Sequence, residues 1–422
     1  MAESSSFASS INFTLYIMPS QHTDTSLTII RYVLLTFLGY FCIGLPLAVL
    51  PIYIHQNLGY STFIAGLVIS LQYLVTFIMR GWAGTIVDKR GPKPAVLLSM
   101  ASFVASGVVL SVAFFFPDKP FLSLCFIMSA RLMTGCAEGM IGASPISWAM
   151  LAVGRPHTGT IISYNGIASY GALALGAPLG VVLSKGMGNL SLGLVVLLVG
   201  IFGFFYGKGI QNIIGGTATQ EPVSFLKVLR IVSPYGTSLA LGGIGFGCLS
   251  TFITLYYEYM YWSNAALCLT SFSVLFILGR LFFGNSIQRY GGLRVAFFCL
   301  LVETVGLAIL WLAPTSLLAL VGASVTGLGF SLVFPALGVE AVRLAPVANQ
   351  GSALAAYGLF IDISLGITGP LVGFVAGEWG MHRIFWFSMA MVFMGFLLIL
   401  YILLVVRRLP VFPSKVEKPV KT

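Results

Sequence analysis

Four ionisable residues stand where a charge is hardest to keep. Glu138, Glu303 and Asp362 lie in the apolar runs 121–150, 293–313 and 350–376, and Arg131 precedes Glu138 by seven residues. Charged groups at membrane depth are costly, so they face polar partners or water rather than lipid. A carboxyl in such a place can take up a proton on one side of a barrier and release it on the other. Arg131 and Glu138 are two helical turns apart and share a face. The arginine could therefore govern whether the acid holds its proton, or the two could form a fixed internal ion pair. Asp362, set among Leu359, Phe360, Ile361 and Ile363, reads as facing a cavity or as a packing group with a partner elsewhere. Glu303 reads first as an interhelical hydrogen-bonding group and second as a coupling or binding acid. Gln72, Tyr164, Asn165 and Tyr357 are neutral polar residues in other apolar runs and are candidates to line a cavity.

Other chemistry is excluded by what the sequence lacks. It has no phosphate-binding glycine loop, no HExxH pair and no nucleophile–base signature. The six cysteines sit in apolar runs without CxxC spacing, and the four histidines are scattered, so no metal or cofactor is expected. Ion gradients, and protons above all, are then the natural source of energy.

The elements that hold these residues must be membrane helices. Hydrophobic residues make up 58% of the 422 residues and charged ones 8%, against roughly 25% charged in a soluble domain. Spans are predicted near 29–54, 62–82, 94–116, 121–150, 158–183, 187–207, 229–257, 264–286, 293–313, 315–341, 350–376 and 381–406. The net charge of +10 would suggest nucleic acid as a partner on a soluble protein, but here its placement gives another reading. Lys89, Arg90, Lys93, Arg155, Lys208, Lys227, Arg230, Arg289, Arg294, Arg343 and the C-terminal Lys/Arg residues fall on one side of these spans. Only Lys119, Lys185 and Arg383 fall on the other. The positive-inside rule puts the basic side, with both termini, in the cytoplasm. The partner implied is the lipid bilayer, not nucleic acid.

The spans repeat. Arg80, Gly84, Lys89 and Gly91 recur as Arg280, Gly284, Arg289 and Gly291, an offset of 200 each time. Thr134-Gly135 recurs as Thr326-Gly327, and Gly159…Pro178 as Gly351…Pro370, each at an offset of 192. Two six-helix units in one orientation are expected: a tail over 1–28, a bundle over 29–207, a linker over 208–228, a second bundle over 229–408 and a tail over 409–422. Gly176, Pro178 and Gly180 in the fifth span, with Gly369, Pro370 and Gly373 in the eleventh, suggest kinked helices packed closely where the bundles meet.

The loop Gly84-x3-Asp88-Lys89-x-Gly91-x-Lys93 resembles the signature between the second and third helices of the major facilitator superfamily. Arg131-Leu-Met-Thr134-Gly135 resembles the motif that antiporters of that family carry in the fourth helix. Gly171 to Gly180 resembles the Gly-Pro motif of its drug:proton antiporter branch, and Gly44-Leu-Pro46 with Pro51 is similar to that branch too. The pattern looks most like a bacterial, uncharacterised or sugar-efflux-like subgroup, over about residues 29–408. It departs at Pro92, at Gln288 in place of an acid, and at Ala177 before Pro178.

This resemblance implies an all-α membrane protein of twelve transmembrane helices in two pseudo-symmetric six-helix bundles, lodged in a bacterial inner membrane. It also implies that Arg80, Gly84, Asp88, Lys89, Gly91 and Lys93 form a conformational latch between the bundles on the cytoplasmic side. The function expected is secondary active transport by alternating access, as proton-coupled efflux of a small organic solute. Proton-coupled uptake of a sugar or metabolite is the alternative. A receptor would usually carry a soluble signalling domain, and an enzyme would need a catalytic set; neither is visible. One chain holds both halves, so a monomer suffices.

Overall fold

The computed structural model describes residues 21–154, 157–214, 225–344 and 350–406. Twelve helical spans among them are long and apolar enough to cross a membrane. In chain order α1 to α6 are Thr25–Asn57, Thr62–Val87, Pro92–Ala113, Pro120–Val153, Thr158–Met187 and Leu190–Lys208. The second six, α7 to α12, are Lys227–Tyr259, Ala266–Phe283, Gly292–Leu312, Ser316–Arg343, Ala356–Glu378 and Met381–Val405. Helices satisfy their own backbone groups, which lipid cannot. Helical structure begins at Gln21, within the expected tail over 1–28. The backbone reaches Lys208 as helix and resumes at Phe225. Residues 215–224 of the expected linker, and the tail over 409–422, lie outside the described residues.

Each half is built by the same contacts. In the first, α1 packs on α5, α3 on α4 and α6, and α2 on α4; in the second, α7 packs on α11, α9 on α10 and α12, and α8 on α10. One close approach shows the repeat at atomic detail. A Cβ on Gly135 of α4 would run into the Gln72 carbonyl of α2, and one on Gly327 of α10 into the Phe272 carbonyl of α8. Both glycines are required because the backbones touch there. α4 and α10 are each interrupted, after Ile141 and after Phe330. Gly91 follows the helical turn that ends at Arg90, and Gly291 follows the short helix Ser286–Tyr290, with φ of +82° and +85°, a left-handed geometry that favours glycine.

The halves meet along two symmetry-related seams, α2 on α11 and α5 on α8. On the face opposite the basic loops, here the far face, the seams are tight. Thr62 donates to the Gly373 carbonyl (3.4 Å), and Gly66 lies so near Gly369 that a Cβ on either would strike the other's carbonyl. The Ser70 hydroxyl donates to the Leu365 carbonyl (3.4 Å) and accepts from the Gly369 N–H (3.1 Å). The end of α1 at Leu50–Ile52 packs on α7. On the second seam Thr270 donates to the Ala174 carbonyl (3.0 Å). Toward the basic face both seams give out. One turn beyond Arg80 and Asp362, Gly84 and Gly358 face open space, as does Gly159 two turns beyond Gly166. Beyond Arg80 and Asp362 toward the basic face, no hydrogen bond joins the halves among the described residues.

Candidate functional site

Where the first seam ends, an ion pair joins the halves. Arg80 Nη2 donates to Asp362 Oδ1 (2.9 Å), and its Nε lies against Oδ2. The Asp362 side chain is 3% exposed and that of Arg80 23%, so the acid is sealed while the arginine is partly accessible. Bidentate arginine–carboxylate geometry is the strong form of this contact. Arg80, expected in the latch, is thus an inter-half residue at membrane depth rather than part of the loop.

Glu138 lies beside this pair in the first half. Its Oε2 accepts from Gln72 Nε2 (2.6 Å) and from Thr76 Oγ1 (3.1 Å). Gln72, Thr76 and Arg80 occupy successive turns of α2, so one helix ridge holds both acids. The partly buried Tyr40 of α1 is within electrostatic reach of Glu138, Arg80 and Asp362. Its hydroxyl and the Arg80 guanidinium both border Gly142 at the break in α4.

The expected Arg131–Glu138 pairing does not occur. Arg131, 2% exposed, donates Nη2 to the Ile69 carbonyl of α2 (3.3 Å), and its Nε and Nη1 have no partner among the described residues. Glu138 is satisfied from α2 instead, because Gln72 and Thr76 reach it directly across the α2–α4 contact. Glu303 is enclosed within the second half. Its carboxylate lies against Gly242 and Gly245 of α7, it is wholly buried, and neither oxygen has a hydrogen-bond partner among the described residues.

Two cavity candidates are corrected by burial. Gln72 is fully buried and holds Glu138. Tyr357 is fully buried and donates to the Phe334 carbonyl of α10 (3.0 Å), so it is a packing residue of the second half. Asn165 accepts from Thr36 of α1 (2.8 Å), and both it and Tyr164 are partly buried.

The Gly-Pro clusters part company. Gly369 and Gly373 of α11 face α2 across the seam as expected. Gly176 and Gly180 face Gly44 and Leu45 of α1, so that cluster packs inside the first half and not between the halves. Pro178 and Pro370 both sit within continuous helix.

The repeated loop is tied to its own half. Lys93 Nζ donates to the Lys208 carbonyl (2.7 Å), and Asn212 bridges the Lys93 N–H and the Arg90 carbonyl (3.2 and 2.8 Å). Lys89 is exposed, and Gly84 faces open space. The Asp88 side chain lies outside the described residues. The second loop lacks the acid at Gln288 but receives one from α10: Glu340 accepts from the Gly292 N–H (2.9 Å) at the start of α9, where a helix favours negative charge.

Sequence reasoning passed over Arg280, seeing it only as a flank of the second loop. It lies inside α8 and reaches the second seam at the depth where Arg80 reaches the first. Its position in an apolar run was the available signal. A depression of about 700 Å³ lined by Met260, Trp311, His382, Arg383 and Trp386 lies on the far face and holds none of the buried acids.

Two six-helix repeats meeting on paired seams, with charges enclosed between them, define a membrane transporter built on parallel repeats. Residues 32–268 and 237–422 each match the Major Facilitator Superfamily. The chain is 50% identical over 371 residues to an uncharacterized MFS-type transporter of Pseudomonas aeruginosa, covering 87% of this chain and 91% of that one. It is 47% identical over 367 residues to another from Burkholderia pseudomallei, covering 87% and 90%. The solved nucleoside transporter NupG is similar in fold, with a TM-score of 0.72 at 15% identity over 89% of this chain and 99% of that one. The human organic anion transporter MFSD10 (TETRAN) gives 0.67 at 14% over 89% and 99%. The chain belongs to the major facilitator superfamily and is a multi-pass membrane transporter, not an enzyme.

Proposed function

We propose that this transporter couples protons to the export of a small organic solute by alternating access. The observation that carries the reading is the Arg80–Asp362 pair, which ties the halves together at membrane depth beside a second acid, Glu138. A proton on Asp362 removes the charge that holds Arg80, and the seam between α2 and α11 is freed to rearrange. Glu138 sits one helix away, held by α2 residues one and two turns from Arg80, so motion of α2 alters its surroundings too. Arg131, with two free donors beside α2, is the counter-charge Glu138 could meet in another arrangement. The positive-inside rule supports the basic face as cytoplasmic, with both ends of the helical region there, and the bacterial relatives support an inner membrane. On this reading the space between the halves forms a gap that opens inward, where cargo for export would load. The loop of Asp88, Lys89, Gly91 and Lys93, whose Lys93 is tied to the first half, would engage the second half when this face closes.

Purified chain in liposomes with an imposed pH gradient tests the reading. Asp362→Asn and Glu138→Gln should keep downhill exchange of solute and lose uphill, proton-driven movement. Full proton-driven transport in both variants would sink the coupling assignment. The sign of proton movement against solute movement separates export from uptake.

A further inference from the structure

The depression on the far face is framed by the ends of three helices of the second half. Met260 follows α7, Trp311 and Leu312 close α9, Ala313 and Pro314 follow it, and His382, Arg383 and Trp386 open α12. Its volume of about 700 Å³ is that of a small-molecule site. On one side it is backed by protein. His382 stacks on Tyr256 of α7, with ring planes 20° from parallel and the hydroxyl 3.5 Å from Nδ1, and Tyr256 is wholly buried. On its flanks it is bounded by surface that a spanning helix turns toward lipid. α9 and α12 pack on each other, yet only 39% and 28% of their apolar windows are buried, against 89% for α7. Leu312 and Trp386, at the rim, are both exposed.

The polar chemistry of the lining is one-sided. Its polar side chains are the Arg383 guanidinium, the His382 imidazole and the Trp311 and Trp386 indoles; none is a carboxylate, an amide or a hydroxyl. Guanidinium and indole groups only donate. Among the described residues the ion pairs are Arg80–Asp362 and Arg343–Glu340, so Arg383 belongs to neither, and the indole N–H with a protein acceptor is that of Trp148. Glu258 and Glu378, the acids nearest in sequence, are exposed and do not line the depression. Such a lining offers nothing to an ammonium group. It suits a ligand that only accepts hydrogen bonds and carries a negative charge beside apolar parts.

We infer that this depression binds one glycerophospholipid of the adjoining leaflet: its phosphodiester on Arg383 and His382, its ester carbonyls at the Trp311 and Trp386 N–H groups, and its chains along the outer surfaces of α9 and α12. Indole rings favour the level of the headgroups, and an arginine there lays its stem on apolar surface while its head stays polar. A free phosphate would use the cation and leave the apolar rim without a contact, which is why the lipid is preferred. Bound there, it would join the ends of three helices of one half. The inference stands apart from proton coupling and from the direction of transport.

The test is native mass spectrometry of the whole chain, delipidated in detergent and titrated with dioleoyl phosphatidylglycerol. The first lipid should bind at least about tenfold more tightly than dioleoylglycerol, which lacks the phosphate. Arg383→Gln should weaken it at least about tenfold, and Arg383→Lys should keep part of the affinity. Trp311→Phe combined with Trp386→Phe, which keeps the rings and removes both N–H groups, should weaken it about three- to tenfold. Lys185→Gln, which removes an exposed cation from the same face outside the depression, should leave it unchanged. Wild-type affinity in Arg383→Gln or in the paired tryptophan variant, or an equal loss in Lys185→Gln, would each overturn the assignment. So would glycerol 3-phosphate binding as tightly as the lipid, which would make this a site for a soluble phosphate.

Discussion

Neutralising Asp362 should redistribute the transporter between its open faces. The carboxylate is almost wholly buried and takes two contacts from Arg80. Removing one partner of a buried pair costs about 3–5 kcal/mol. Arg80 is partly exposed and can draw water from the basic-face gap, which lowers the figure to about 1–3 kcal/mol. Because the pair ties α2 to α11 at the point where the gap begins, that energy is lost from the basic-face-open arrangement. The ratio of conformers should shift by roughly 5- to 150-fold. Spin labels at Leu151 and Val339, exposed positions toward the basic ends of α4 and α10, report the width of the gap by pulsed distance measurement. Labels at Phe121 and Leu317, exposed where the same helices start, report the far face. Asp362→Asn and Arg80→Gln should each populate shorter distances at the basic face and longer ones at the far face. The double variant should do no more than either alone, since both remove one interaction. The exchanged pair, Arg80→Asp with Asp362→Arg, should recover part of the wild-type distribution. Distance distributions unchanged by either single substitution would refute the argument that this pair holds the conformation.

Two further outcomes follow from packing. Gly66→Val and Gly369→Val each place a branched side chain on a facing carbonyl, and should cost about 1–3 kcal/mol with slowed transport. Gly159→Ala, where an added Cβ meets nothing within 4 Å, should leave the melting temperature unchanged or raised; equal losses at all three would show that seam contact is not what requires glycine. Glu303→Met removes a buried carboxyl that has no hydrogen-bond partner among the described residues and should raise stability by about 1–3 kcal/mol with proton-driven transport kept. A well-folded Glu303→Met that exchanges solute but cannot move it uphill would return Glu303 to the coupling path.

The architecture was legible because its causes are local. Apolar length fixes a span, and repeated glycines at offsets of 200 and 192 reveal the duplication. The buried acids were legible for the same reason: Glu138, Glu303 and Asp362 break apolar runs. Partners were not, because they lie on other helices. Arg131 and Glu138 share a face, yet α2 stands closer to the acid than its own helix neighbour does. Asp362 finds its counter-ion 282 residues away. One signal went unused. Gln72, Thr76, Arg80, Gly84 and Asp88 recur every fourth residue, a continuous ridge along α2. Such spacing keeps side chains on neighbouring turns of one surface. Read as a ridge, it would have moved Arg80 from the loop to the seam and Gln72 from cavity wall to acid holder.

The repeat treats its two seams differently. Duplication supplies an arginine to each, Arg80 on α2 and Arg280 on α8. Arg80 meets an acid of the other half, Asp362. The position equivalent to Asp362 at the offset of 192 is Tyr170, and Arg280 is held by the Ser331 carbonyl of its own half (3.0 Å). Among the described residues, the ion pair that crosses between the halves therefore belongs to the α2–α11 seam. A change of charge on Asp362 would act on that seam and not on the other. Because α2 packs on α4 and α11 on α7, such a change would be passed to both halves from one point of contact.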